Sequence, residues 1–320
     1  MIIRRDFLKT SLAAGAAAGL ALPAGAQSAD RLRMFIPAAP GGGWDQTGRT
    51  IEQVMRAAGI VQNFQFENVP GAGGAVGLPR FLGMRGQGDV MMVAGMVMVG
   101  SLIANRSPVK ITDATPLARL TGEFQVVVVP ANSPHRDMRS LAAAVRANPG
   151  AVSWAGGSAG GTDHILIGLI ARATGGDPSK INYVPFKGGG EAIAAIVGGH
   201  VSAGVSGLGE FSEQIKAGRM RALGVSSPER LEGVPTLREQ GIDVVLGNWR
   251  GIFGAPGITP AQRDALVAAV RTATESPAWK ESLTKYGWEP WFLGGDDYKR
   301  FIDEDVKRVG AILDSLGLKK

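Results

Sequence analysis

Apolar residues along the chain follow two spacings in turn, and the change between them recurs at the same kind of place. Residues 32–36 form a short apolar run that reads as a strand, and Ile51, Val54, Met55 and Ala58 recur at helical spacing, which predicts a helix starting near Trp44. Between the two lies Pro40-Gly41-Gly42-Gly43-Trp44-Asp45. The order repeats at 64–69, where a strand enters Asn68-Val69-Pro70-Gly71-Ala72-Gly73-Gly74 and a helix is expected from near Ala75. It repeats again at 152–154, which leads through Gly156-Gly157-Ser158-Ala159-Gly160-Gly161-Thr162 into a helix with Ile165, Leu166, Leu169, Ile170 and Ala173 inward. A fourth case runs from 181–186 through Lys187-Gly188-Gly189-Gly190 into a short helix carrying Ile193, Ile196 and Val197.

Further strands are predicted at 90–94, 125–129, 201–206, 221–226 and 244–253. Toward the end the pattern turns helical. Thr259-Pro260-Ala261-Gln262 is a capping box with Pro at the first helical position, opening a helix that buries Leu266, Val267 and Val270. Asp296 is expected to cap a last helix whose Phe301, Ile302, Val306, Val309 and Leu313 form a core-facing stripe. Alternating strands and helices define an α/β chain with mainly parallel sheets and helices on both faces.

Composition sharpens what the turns mean. Of 320 residues 47 are Gly, about twice the usual share, and much of the excess lies in the four turns. The first amides of a helix have no intrahelical partner, the helix dipole places positive charge there, and glycine lets a ligand oxygen approach them. The four turns are therefore candidate anion sites. The formal net charge of +6 is spread without a basic run, and aromatic residues make up only 6%, so no nucleic-acid footprint is present.

With no Cys, thiolate chemistry, disulfides and Cys-based metal sites are excluded. His135, His164 and His200 have no His partner at metal-ligand spacing, so no metal is expected, and no cofactor either. The Gly-Lys-Ser/Thr triplet of a nucleotide cradle is absent, and Gly71-x-Gly73 has Val76 where a dinucleotide fingerprint needs a third glycine. One motif does match: Gly156-x-Ser158-x-Gly160 lies between a strand and a helix, as a hydrolase nucleophile does, with His200 and either Asp177 or Glu191 available to complete a triad.

Residues 1–26 stand apart. Arg4-Arg5-Asp6-Phe7-Leu8-Lys9 reads as a twin-arginine signature, and the apolar stretch at 10–22 is shorter than the roughly 20 residues that span a bilayer. Ala24-Gly25-Ala26 supplies a small-residue cleavage site, so the mature chain is expected to start at Gln27 and to be periplasmic.

Pro40-Gly41-Gly42-Gly43-Trp44-Asp45-Gln46-Thr47, Asn68-Val69-Pro70-Gly71-Ala72-Gly73-Gly74, Gly160-Gly161-Thr162-Asp163-His164-Ile165-Leu166 and Tyr183-Val184-Pro185-Phe186-Lys187-Gly188-Gly189-Gly190-Glu191-Ala192 together resemble the substrate-binding proteins of tripartite tricarboxylate transporters, the Bug receptors. The resemblance implies a type II periplasmic-binding-protein fold, two α/β lobes joined by crossover strands with a ligand cleft between them. With crossovers near 125–129 and 249–253, residues 27–126 and 250–320 form one lobe and 127–249 the other.

The resemblance further implies a monomeric receptor, with no catalytic role, that captures a small carboxylate and passes it to integral-membrane permease subunits. A sensor presenting the ligand to a signalling system, and a secreted hydrolase using Ser158, are the alternatives. The first two loops would bind a carboxylate through Gly41, Gly42, Gly43, Trp44 and Asp45, then Asn68, Gly71, Ala72, Gly73 and Gly74. Ser158, Gly161, Thr162, Lys187 and Gly189 would face them from the other lobe. The Gly-Gly-Gly-Trp-Asp form leans toward the tricarboxylate branch, so a citrate-like tricarboxylate or a dicarboxylate is expected.

Overall fold

A computed structural model describes residues 29–187 and 189–319 of the chain. The expected export segment lies outside these residues. In chain order the elements are β1 (Ala29–Ile36), α1 (Gly43–Ala57), β2 (Val61–Asn68), α2 (Gly77–Leu82), β3 (Val90–Gly95), α3 (Met96–Ala104) and β4 (Thr115–Pro130). Then come α4 (Met138–Ala147), β5 (Ser153–Gly156), α5 (Thr162–Ala173), β6 (Asn182–Pro185), α6 (Gly189–Val197), β7 (Ala203–Gly207), α7 (Leu208–Lys216) and β8 (Met220–Val225). The chain closes with β9 (Gly247–Gly254), α8 (Pro260–Glu275), α9 (Pro277–Tyr286), β10 (Leu293–Gly294) and α10 (Gly295–Ser315).

The strands follow the order β2-β1-β3-β9-β4-β7-β5-β6, with β8 and β10 also pairing to β4. Two parallel sets result, β2-β1-β3 and β7-β5-β6, each built from strand-glycine-helix units. The expectation of mainly parallel sheets holds within each set. Between them β4 and β9 run antiparallel to their neighbours, because a strand that links two sheets returns instead of winding on. One strand serves both sets: β4 pairs with β9 along 115–124, then with β7 along 125–128 and β8 along 126–130.

Burial explains the elements. All six residues of β3 are buried, as a central strand covered on both faces requires. Helix α1 buries Ile51, Val54 and Met55, while Ala58 is its exposed C-cap. In α5 Ile165, Leu166 and Ile170 point inward as expected, but Ala173 is exposed, because the helix turns its last residues to solvent. The helix expected near Ala75 is shorter, a 3-10 turn over Ala72–Gly74 followed by α2.

Helix α8 carries the full capping box, Gln262 N–H donating to Thr259 Oγ1 and Thr259 N–H to Gln262 Oε1. Helix α10 buries Tyr298, Ile302, Val309 and Leu313, each such apolar side chain contributing about 1.5–3 kcal/mol. Its N-cap is Gly294, and Asp296 instead pairs with Arg263 on α8.

Candidate carboxylate cleft

The glycine turns of both strand sets and the two central strands line one cleft of about 620 Å³. The first turn is held by an internal strut. Asp45, buried in the first turn of α1, accepts Gly41 N–H at 3.0 Å, Asn68 Nδ2 at 3.0 Å and Arg49 Nε at 2.8 Å. Burial alone would raise its pKa, but these donors and the Arg49 charge outweigh burial and hold it below the usual carboxylate value. Asn68 also donates to Ala38 O at 3.1 Å, so one carboxylate and one amide lock the first and second turns together.

The second turn is shaped by backbone conformation. Gly71, Ala72, Gly73 and Gly74 all have positive φ, and Ala72 at φ 46° is among the few non-glycine residues in that region. Gly74 and Ala75 N–H are taken by Gly71 O and Ala72 O within the turn, which leaves the amides of Ala72 and Gly73, in the part that lines the cleft, as its donors. At the start of α1, Gly42 is the extended N-cap with no side chain capping the helix, so the amides of Gly43 and Trp44 lack intrahelical partners. These two groups of neutral donors face one cleft, which suits a carboxylate.

The third turn has its own strut. Asp163 accepts Gly157 N–H at 2.8 Å and Gln125 Nε2 at 2.6 Å. Burial pushes its pKa up to about 6; the two hydrogen bonds offset this only in part, and the Glu210 carboxylate adds to it. His164 stacks on Tyr183 with ring centroids 4.2 Å apart, and its Nδ1 accepts Gly160 N–H at 3.0 Å. Burial lowers its pKa to about 4, so it is neutral and structural.

The floor comes from β4 and β9. Arg250, 3% exposed, donates to Glu123 and lies 3.7 Å from Glu210, and its other nitrogen reaches Thr47 Oγ1 at 3.4 Å. Asn248 donates to Glu123 Oε1 at 3.0 Å and accepts from Thr162 Oγ1 at 3.0 Å. Burial raises the Glu123 pKa to about 7, with Arg250 opposing and Glu210 reinforcing the rise. Gly43 is required where α1 approaches this floor, since a Cβ there would sit 2.8 Å from Arg250 Cζ and 2.9 Å from Glu210 Oε1.

Of the residues expected at the site, Gly41, Gly42, Gly43, Trp44, Gly71, Ala72, Gly73, Ser158, Lys187 and Gly189 line the cleft. Trp44, 7% exposed, forms a wall. Asp45 and Asn68 stand behind the loops as struts. Gly74 is buried, where a Cβ would meet Met98 and lie 3.3 Å from Trp44. Gly161 is the N-cap of α5, and Thr162 is fully buried against Asn248.

Glu123, Gln125, Asp163, Ser206, Glu210, Asn248 and Arg250 line the cleft as well and were not singled out as contacts. The available signal was polar residues inside otherwise apolar strands, Glu123 and Gln125 before four valines and Arg250 between Trp249 and Gly251. No hydrogen bond joins Ser158 to a histidine among the described residues; His200 is exposed beyond α6, Asp177 caps a turn through Ser179, and Glu191 accepts Lys187 N–H.

The fold and cleft define a periplasmic solute-binding protein. The family described as "Tripartite tricarboxylate transporter family receptor" matches residues 49–318, and the chain belongs to it. A twin-arginine translocation signal sequence matches residues 4–21, and the protein is exported to the periplasm. Among the described residues no helix is long and apolar enough to cross a membrane.

The chain is 31% identical to "UPF0065 protein in gbd 5'region" of Cupriavidus necator, covering 99% of each. A solved chain titled "Structure of a periplasmic transporter" superimposes with a TM-score of 0.80 at 26% identity, covering 92% of this chain and 99% of that one. Two further structures share the fold. MatC from Rhodopseudomonas palustris with bound malate gives a TM-score of 0.78 at 23% identity, covering 88% and 99%. An R. palustris protein with adipate gives 0.81 at 20%, covering 90% and 97%.

Proposed function

We propose that the protein captures a small organic polycarboxylate, a dicarboxylate or a citrate-like tricarboxylate, in the cleft and delivers it to a tripartite tricarboxylate transporter permease. One observation carries this reading: the start of α1, whose first amides are unpaired, and the positive-φ residues 71–73 line the same cleft, where neutral donors can hold a carboxylate without a fixed counter-charge. The malate and adipate in the structural neighbours agree with it. Lys187, exposed at the rim, is suited to a second carboxylate.

Residues 27–126 and 250–320 act as one lobe and 127–249 as the other, and ligand favours closure because only the closed state touches it from both sides. The protein works as a binding protein and not as a catalyst.

Thermal-shift screening of residues 27–320 against citrate, tricarballylate, malate, succinate, adipate, aspartate and glutamate tests this. A ligand at about 100 times its dissociation constant adds about 2.7 kcal/mol of stability. A shift with one or more of them is expected; no shift with any overturns the reading.

A further inference from the structure

The floor of the cleft sets one cation between two acids. Glu123 of β4 and Glu210 of α7 both lie against Arg250 Nη2 of β9, Glu123 through a hydrogen bond and Glu210 Oε1 at 3.7 Å, so the two carboxylates are within about 7 Å of each other. Each is also held by a neutral neighbour: Asn248 donates to Glu123 Oε1 at 3.0 Å, and Ser206 Oγ donates to Glu210 Oε2. The other guanidinium nitrogen reaches Thr47 Oγ1 of α1 at 3.4 Å, and the guanidinium lies 5.6 Å from the Trp288 ring; neither neighbour brings a charge. Asp163 of α5 is a third acid whose charge Glu123 feels, and Lys187 stands at the rim. Negative charge is therefore in excess before any ligand arrives.

The place assigned to the ligand carboxylate is built against this cluster. Gly43 supplies one of the unpaired amides of α1, and a Cβ on Gly43 would lie 2.9 Å from Glu210 Oε1. A carboxylate oxygen bonded to that amide is then within about 8 Å of Glu210 Oε1. Like charges this close repel, the more so where burial weakens solvent screening. An incoming anion acts on Glu123 as Glu210 already does, by disfavouring its ionised form. Glu123 is 6% exposed, and burial reinforced by Glu210 has raised its pKa to about 7 against the pull of Arg250, so a small further rise adds a proton near neutral pH. Its Oε1 takes the Arg250 and Asn248 bonds, which leaves Oε2 to receive that proton.

We infer that capture of a carboxylate at the start of α1 is coupled to uptake of a proton from solvent onto Glu123 Oε2, and that Glu210 is the residue that makes the uptake necessary. This rests on the carboxylate-receptor reading and adds to it a dependence of affinity on pH. A complex that holds more protons than its separate parts weakens as pH rises. With Glu210 in place, affinity falls above neutrality; without it, Arg250 balances Glu123, which stays ionised.

Calorimetric titration of residues 27–320 with succinate, adipate and malate, whose carboxyls are ionised above about pH 7, counts the protons when run in two buffers of different ionisation enthalpy. Uptake of about half a proton per ligand is expected at about pH 7.5, with affinity falling about fourfold from about pH 7 to about pH 8.5. Asp163, at about 6, is already ionised over this range. Glu210→Gln keeps an acceptor for Ser206 and should abolish the uptake, flatten the pH profile and raise affinity at the alkaline end. Glu123→Gln keeps an acceptor for Arg250 and Asn248 and should abolish the uptake as well. A merely structural role for either residue would lower affinity equally at every pH and leave the proton count unchanged.

Binding without proton uptake in the wild type, or uptake that survives in Glu210→Gln, overturns the inference and leaves the receptor reading standing. If none of the three acids binds, both fall.

Discussion

Asp45 and Asp163 hold corresponding places in the two strand sets and have been driven in opposite directions. Each lies in the first turn of the helix after a glycine turn and accepts an amide from that turn, Gly41 for one and Gly157 for the other. Asp45 also receives Asn68 and the charged Arg49, and its pKa is lowered. Asp163 receives only the neutral Gln125, with Glu210 nearby, and its pKa rises to about 6. The same local motif therefore gives a locked strut on one side and, on the other, a cleft-lining carboxyl whose ionisation burial opposes. What decides between them is the partner brought from elsewhere in the fold.

The largest expected effect bears on the roof above Asp45. Gly42→Val should fold, because a Cβ at Gly42 meets only Ala39 O, at 3.6 Å, and its φ is −82°. Its branched side chain stands over the free amides of α1, and calorimetry should show carboxylate affinity lowered by about a hundredfold. Wild-type affinity would remove the helix start from the binding mechanism. Gly73 is a poorer probe, since its φ of +62° and the nearby Ser101 penalise any side chain before binding is measured.

Asp45→Ala comes next. It strips acceptors from Gly41, Asn68 and Arg49 at once, and urea unfolding should show a loss of about 2 kcal/mol. The contribution is present above the unfolded-state carboxylate value and disappears as pH falls through the lowered folded value. The gap between wild type and variant should therefore close in strong acid. An unchanged gap would mean that Asp45 acts by packing alone.

Asp163→Asn should behave in the opposite sense. A carboxyl whose folded pKa is raised binds its proton more tightly when folded, so ionisation removes stability as pH climbs from the unfolded value toward about 6. Relative to wild type, the variant should gain about 2 kcal/mol between pH 4 and pH 7. A variant that loses ground over that interval would show that the ionised carboxylate is a net stabiliser.

The smallest effect is assigned to Thr162→Val, which breaks the link to Asn248 Oδ1 while Asn248 keeps Glu123. Melting should show a cost of about 1 kcal/mol, with ligand affinity unchanged. A change in affinity beyond threefold would place Thr162 in the binding machinery.

The fold was largely legible because each strand-glycine-helix unit is local: the residues that form β1, the turn and α1 are adjacent in the chain. The roof of the cleft was legible for the same reason. The floor was not. Glu123 and Arg250 are 127 positions apart, and nothing in the spacing of either signals the other. Asn68 looked like a ligand contact in the sequence; its pairing with Asp45, 23 positions earlier, turns it into a brace between loops. The bond of Asp163 to Gly157 is local to its own turn; its place beside Gln125 depends on β4, laid down 38 positions before it.

Strand order also sets an order of assembly. β9 lies between β3 and β4, yet it follows β4 by more than a hundred residues, while β7 and β8 reach their places on β4 well before β9 is made. The middle of the chain can therefore finish its sheet before the beginning can close. Until β9 arrives, one edge of the wholly apolar β3 has no partner, and such an edge invites pairing with other chains. Loss of the last 75 or so residues would leave that edge open permanently, so a prematurely ended chain should aggregate instead of folding in part.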